Sequence, residues 1–219
     1  MTNENGRPRA FLLLGQAGER QFHNLPEHWA HLGSLLRGVD LETRVISDDL
    51  VDLNSANLAR FDVILNYSTA RVASEEQIEA LLGAVRGGIG YVGLHAATAT
   101  FLSSQPYLEM VGGRFLRHPP FGRFTVKILD REHPITRGLT DFEIEDERYE
   151  LVDLVDGIEV LARNEGHPMV YARRYGEGRV AYIALGHDAR SLGRPEYHRL
   201  VSQAIRWAAR NRLATQLSS

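Results

Sequence analysis

Apolar positions along this chain keep two different rhythms. Ala10 to Leu14 is an unbroken apolar run closed by Gly15, and Asp62 to Asn66 and Gly90 to Leu94 are similar short blocks. Runs of that length without polar alternation suit strands of a parallel sheet covered on both faces. Leu41 to Ile46 reads as a further strand of the same set. Between the strands the spacing turns helical. Asn24 is placed to cap a helix with Pro26 in its first turn, and Leu25, Trp29, Leu32 and Leu36 fall on one face before Gly38. Ser74 and Gln77 form a capping-box pattern ahead of Ile78, Leu81, Leu82 and Val85, and Gly87-Gly88 ends that helix. Strands alternating with helices of this length predict crossover units and a mainly parallel sheet with helices on both faces.

From Arg123 the rhythm changes. Phe124, Val126 and Ile128 alternate with Arg123, Thr125 and Lys127, and strand-like segments follow without long helices between them. Phe142 to Leu151, Glu159 to Arg163, Met169 to Arg174 and Arg179 to Leu185 are read as antiparallel strands, the last two joined by a hairpin turn at Tyr175-Gly176-Glu177-Gly178. A final helix, about Pro195 to Arg210, turns Leu200, Val201, Ala204, Trp207 and Ala208 inward, and the tail Leu213 to Ser219 is expected to fray.

Composition narrows the chemistry. The 219 residues suffice for one large α/β domain, expected over 1–219 with an ordered core of about 8–211. The chain has no cysteine, which excludes disulfides, thiolate zinc sites and cysteine nucleophiles. Its 25 basic and 28 acidic residues are interspersed, so no phosphate-tracking patch points to nucleic acid. Met1 to Arg9 is polar and Phe11 to Leu14 is too short for a signal or a membrane span, so a cytoplasmic location without membrane contact is expected. The 9 histidines exceed what core filling requires, and imidazole is the side chain best suited to hold a metal or move protons near neutral pH.

Ligands of a parallel sheet bind beyond the carboxyl ends of its strands. Four segments qualify: Gln16 to Asn24, Asn66 to Thr69, His95 to Thr98, and Gly186-His187-Asp188. His95 ends the apolar strand Gly90-Tyr91-Val92-Gly93-Leu94 and precedes Ala96-Ala97, a strand-to-helix elbow that in many enzymes carries Ser or Cys. The plain alternative is that His95 and His187 only hydrogen-bond a turn. Asp188 either orients His187 or caps the turn that follows. His118 lies in the loop Gly112 to Pro120, and Asp146-Glu147-Arg148-Tyr149 brings two carboxylates and a phenol together; spacing alone reads these as a surface loop and a solvated strand. His23 is either a site residue or a packing residue beside Asn24.

These motifs, in this order, resemble the ThuA-like (trehalose utilisation) family: Gly90 to Ala97, Gly112-Gly113-Arg114-Phe115 with His118-Pro119, His133-Pro134-Ile135-Thr136 with Gly138-Leu139, Asp146 to Tyr149, and Tyr175 to Arg179 leading to Leu185-Gly186-His187-Asp188. The resemblance covers nearly the whole chain. It implies a three-layer α/β sandwich of the flavodoxin and class I glutamine amidotransferase kind, with antiparallel strands added toward the C-terminus. It also implies that His95 stands where an amidotransferase has its cysteine and that His187 lies near the place of the catalytic histidine, so glutaminase activity is not expected. Sugar catabolism is the function class the family suggests.

The leading expectation is an enzyme, a hydrolase, lyase or isomerase, acting on a sugar or keto-sugar derivative in a histidine-rich cleft. In one version His118 and His187, with His23 or His95, hold a divalent Zn²⁺ or Mn²⁺ while Glu147 moves the proton. In the other, no metal is needed: His95 and Glu147 divide the base and acid roles while Tyr149 and Asp188 orient substrate hydroxyls. The candidate catalytic residues are thus His95, Glu147 and His187, and the candidate substrate contacts Gln16, His23, Tyr149 and Asp188. A non-catalytic sugar-binding or sensing protein on the same scaffold is the alternative, and a component working with a dehydrogenase is a third. The expected partner is a small carbohydrate, and a homodimer is the default assembly.

Overall fold

A computed structural model of the chain describes residues 7–16, 23–39, 43–47 and 50–216. The first half holds β1 (Arg9–Gln16), α1 (Leu25–Gly38), β2 (Thr43–Ser47), α2 (Ser55–Leu58), β3 (Val63–Thr69), α3 (Glu75–Arg86) and β4 (Gly90–Leu94). A one-turn 3-10 helix (His95–Thr98), α4 (Gln105–Val111), β5 (Arg114–Arg117) and β6 (Gly122–Ile128) follow. The remainder is β7 (Phe142–Asp146), β8 (Glu150–Val152), β9 (Glu159–Asn164), β10 (His167–Tyr175), β11 (Gly178–Ile183), α5 (Ala189–Leu192) and α6 (Pro195–Gln216).

Nine of these strands form one sheet in the order β2-β1-β3-β4-β11-β10-β9-β6-β7, and β5 pairs with β8 in a small second sheet. The five strands from β2 to β11 are parallel, and each later neighbour is antiparallel. The change of rhythm at Arg123 accompanies the antiparallel pairing of β6, β7, β9 and β10, whereas β11, read as antiparallel from its hairpin, lies parallel to β4 and is antiparallel only to β10. All seven residues of β3 and all five of β4 are buried, as continuous apolar runs require.

Alternation along β4 shows how the layers form. A Cβ on Gly90 would lie 2.6 Å from the backbone of Ala208, so α6 packs directly on that side. Tyr91, the next residue, points the other way and meets Tyr107 of α4 through their hydroxyls at 2.8 Å. The helix signals act as local chemistry dictates. Asn24 accepts from Glu27 N, and Ser74 and Gln77 complete a reciprocal capping box. Leu32 and Leu36 are buried, whereas the side chains of Leu25 and Trp29 and the whole of Leu41 lie outside what is described. The hairpin forms where expected: β10 ends at Tyr175 and β11 begins at Gly178, with Gly176 at φ +58°.

Three further segments differ from the sequence reading, and the last helix continues past Arg210 to Gln216, through part of the tail expected to fray. The run Phe142 to Leu151 is broken after Asp146, and its second part turns away to pair with β5 as β8. The Asp146 carboxylate causes the break, because it accepts from the backbone N–H of Glu147 at 2.8 Å and bends the chain out of strand geometry. Helix α4 follows a Ser104 cap with Pro106 in its first turn, signals that the glycine-rich surroundings obscured. Trp207 is only partly buried and lies at the edge of the core, between the ring of His133 and the guanidinium of Arg179.

Candidate functional site

The elbow after β4 is strained. His95 has φ +41°, a conformation that costs a non-glycine residue about 1–3 kcal/mol unless its surroundings enforce it. Buried tyrosines do so here. Tyr182 Oη donates to His95 O at 2.7 Å and pairs with Thr98 Oγ1 at 2.9 Å, while Tyr107 Oη donates to Ala97 O at 2.6 Å. The result is a fully buried imidazole presented at the strand end.

Because β2 lies on one side of β1 and β3 on the other, the strand order reverses between β1 and β3, where open α/β sheets bind ligands. His23 follows β1 and sits in that crevice. Gln16 fixes its backbone from both sides, donating to His23 O and accepting from His23 N, each at 3.1 Å. His23 Nδ1 meets Thr69 Oγ1, at the end of β3, at 3.0 Å. His187 follows β11, and its backbone N–H and that of Gly186 are held by Asp146 at 3.0 and 2.7 Å. Tyr67 donates to Gly186 O at 2.7 Å, so its oxygen accepts from His28 Nδ1 at 2.9 Å.

The three rings of His23, His95 and His187 stand 5.2 to 5.4 Å apart in every pairing. One nitrogen from each lies within 4.8 Å of the other two, and among the described residues this is the group of histidines and carboxylates that converges as a metal site would. Burial, reinforced by its histidine neighbours, lowers the pKa of His23 to about 2, and burial lowers that of His28 to about 4. Both are therefore neutral at ordinary pH.

Glu147 approaches this group from the broken strand. Its Oε2 lies 3.2 Å from His187 Nδ1 and 3.5 Å from His95 Nε2, and its Oε1 lies 3.3 Å from His118 Nε2. Burial pushes its carboxyl up, but the nearness of His187 and His95 outweighs this and holds it well below the usual range. Burial likewise pushes His187 down, and Glu147 overrides that and raises it. Tautomers add a constraint. A carbonyl only accepts, so the Nδ1 of His95 and of His118 carries the proton given to Ala184 O at 2.9 Å and to Pro119 O at 2.7 Å. Both rings therefore turn their Nε2 lone pair toward an ionised carboxylate, an arrangement that requires a proton or a cation between them. His95 Nε2 and His187 Nδ1 are buried, and neither has a hydrogen bond of good geometry.

Most of the residues expected at the site are gathered there. His23, His95, His187, Glu147 and Tyr149 meet in one cleft, with the Tyr149 ring 4.2 Å from that of His95 and 4.3 Å from Phe115. His118 joins across Glu147, on its far side from His95 and His187, whereas the convergent trio contains His23. Gln16 acts on the backbone of His23. Asp188 caps α5 and pairs with Arg190 at 2.9 Å, so its oxygens are taken up by the turn. Tyr67, His28 and Asp146 also build the site. Tyr67 falls in the rim segment Asn66 to Thr69, but nothing in the spacing around Asp146 announces its three backbone donors.

The parallel half of the sheet, the elbow after its fourth strand and the histidine after β11 define a glutamine amidotransferase-like fold in which histidine occupies the elbow. A family model described as ThuA, trehalose utilisation, matches residues 11–208, and the chain belongs to that family. A ThuA-like protein from Parabacteroides merdae superposes with a TM-score of 0.76 at 18% identity, covering 93% of this chain and 90% of that one. A ThuA-like protein from Bacteroides uniformis gives 0.74 at 21% identity, covering 94% of each chain. A GMP synthase component from Thermoplasma acidophilum gives 0.61 at 15% identity over 96% of this chain and 98% of that one, which relates the fold to amidotransferases. No curated protein matches the chain.

Proposed function

We propose that this protein is an enzyme of sugar metabolism that acts on a sugar or keto-sugar derivative at a divalent cation held by His23, His95 and His187. The observation that carries this reading is the convergence of three imidazole nitrogens within 4.8 Å, with buried nitrogens on His95 and His187 that lack a good hydrogen bond. Three imidazoles with a nearby carboxylate are a donor set for Zn²⁺ or Mn²⁺. Such an ion, when bound, polarises a carbonyl or lowers the pKa of a water. Glu147 is the proton carrier, since its Oε2 already faces His187 and His95. Tyr149 forms an apolar and phenolic wall against which a sugar ring can lie, and His118 holds Glu147 from the cleft's outer side. The buried elbow excludes water from the inner side of the site. The family's association with trehalose utilisation supports the substrate class.

The test is elemental analysis of purified protein, followed by Zn²⁺ and Mn²⁺ titration of wild type and His187→Ala, and then incubation with trehalose-like and keto-sugar substrates. The expected result is about one ion per chain, weakened by at least about tenfold in His187→Ala, with turnover lost in Glu147→Gln. Absence of bound ion, no stabilisation by either ion and unchanged His187→Ala behaviour would overturn the metal site and leave His95 and Glu147 as an acid–base pair. Sugar-induced stabilisation without product from any substrate would instead favour a binding protein.

A further inference from the structure

Strand β6 belongs to two partners in succession. It pairs with β9 only at Lys127↔Arg163 and Ile128↔Ala162, and from Val126 back to Gly122 it pairs with β7. Strands β6 and β9 therefore diverge like a fork. A cavity of about 690 Å³ opens between them, with Arg123, Lys127, Arg148 and Arg163 among its lining residues. Asn164 spans the fork by donating to Thr125 O at 2.8 Å and accepting from Arg148 at 3.2 Å, which keeps the walls apart at a fixed width.

The charges in this cavity do not balance. Of its two acidic lining residues, Asp146 gives both carboxylate oxygens to the backbone N–H groups of Glu147, Gly186 and His187. Glu165 is paired with Arg148, and Arg123 is paired with Glu145 at 2.9 Å outside the cavity lining. Lys127 and Arg163 are left as exposed cations without an ion-pair partner among the described residues. They are also in register across β6 and β9, and like charges directly opposite each other destabilise a strand pair. An anion between them removes that repulsion. The guanidinium offers a planar two-pronged donor and the ammonium a point charge, a combination suited to a phosphate or a carboxylate.

The cavity adjoins the histidine cleft through Asp146, which lines the cavity and accepts from the His187 backbone N–H at 3.0 Å. Pro119, which lines it, follows His118, and the lining residues Asp146 and Arg148 flank Glu147; His118 and Glu147 touch at 3.3 Å. We propose that the fork is a subsite for an anionic group, phosphate or carboxylate, so that the molecule handled among the histidines is an acidic sugar derivative. The link to a reacting sugar rests on the function proposed above, whereas the anion site stands on Lys127 and Arg163 alone.

The experiment titrates inorganic phosphate, glucose 6-phosphate, glucuronate and glucose into wild type, K127Q/R163Q and His187→Ala, by calorimetry and thermal shift. The wild type should bind the phosphorylated or the carboxylated sugar at least about tenfold more tightly than glucose, and the preference between those two names the anion. The double variant should lose that margin while keeping its fold, with thermal stability equal to or above wild type because the repulsion is gone. Binding should weaken at about 0.5 M NaCl, as partly exposed charges are screened. Equal affinity for acidic and neutral sugars, or an unchanged margin in K127Q/R163Q, overturns the subsite. If the margin is lost in K127Q/R163Q while His187→Ala still turns over substrate, the subsite stands and the histidine reading falls.

Discussion

Gly186→Ala puts the geometry of the cleft to a direct test. Gly186 has φ +114°, outside the range L side chains adopt readily, and that strain costs an alanine about 1–3 kcal/mol. A Cβ there would also lie 2.7 Å from Tyr197 Oη and 2.9 Å from its ring. Tyr197 is fully buried and cannot swing aside, so overpacking adds about 1–3 kcal/mol. The substitution should therefore cost about 2–6 kcal/mol. Urea unfolding followed by circular dichroism should show a midpoint lowered by about 1–2 M with an unchanged slope. Tyr197→Phe supplies the internal check. Its hydroxyl is buried without a partner, so removing it should leave stability equal or slightly higher. In the double variant the loss of the 2.7 Å contact should restore about 1 kcal/mol relative to the sum of the single changes. A Gly186→Ala protein within about 0.5 kcal/mol of wild type would refute the reasoning, because it would mean that the strain and the close contact are both absent.

Two further outcomes follow from buried groups. His28 has its pKa lowered to about 4, so between the ordinary value of 6.5 and pH 4 the unfolded chain takes up a proton that the folded chain refuses. Stability should fall by about 2–3 kcal/mol across that window from this residue alone. Urea midpoints at neutral pH and near the lower end of that window check this, and His28→Asn, which keeps a donor toward Tyr67, should flatten the difference. Tyr182→Phe removes the donor to His95 O and leaves a buried carbonyl unpaired, at a cost of about 1–3 kcal/mol. It should also weaken Zn²⁺ or Mn²⁺ binding, read by calorimetry, because the elbow loses one of its clamps; an elbow held without Tyr182 would leave binding unchanged.

Most of the parallel half was legible because β1, β3 and β4 contain apolar blocks and α1 and α3 carry their own caps, whereas the hairpin before β11 signals antiparallel pairing and hides its parallel edge on β4. The elbow was legible for a related reason: an apolar strand ending in His95 and two alanines has few other uses. The order of the antiparallel strands was not, since β7 returns to the site through Asp146, a contact between residues far apart in sequence. The same holds for the convergent trio. His23 and His118 are both loop histidines followed within a few residues by proline, and spacing cannot say which of them turns toward His95. Asp188 shows the opposite case, in which a residue beside a site histidine serves its own helix.

The far placement of β7 bears on how the protein folds. Glu147 leaves the last strand in the sheet's order, yet it touches imidazoles carried by β4 and β11, and His23 arrives from the loop after β1. No contiguous piece of the chain short of nearly the whole can assemble this cleft, so fragments should be inert and occupancy of the cleft should be felt in global unfolding. Tightly bound cation or sugar would then slow proteolysis everywhere at once, from the first strand to the last helix, and make the cleft the point where the folding of both halves is tied together.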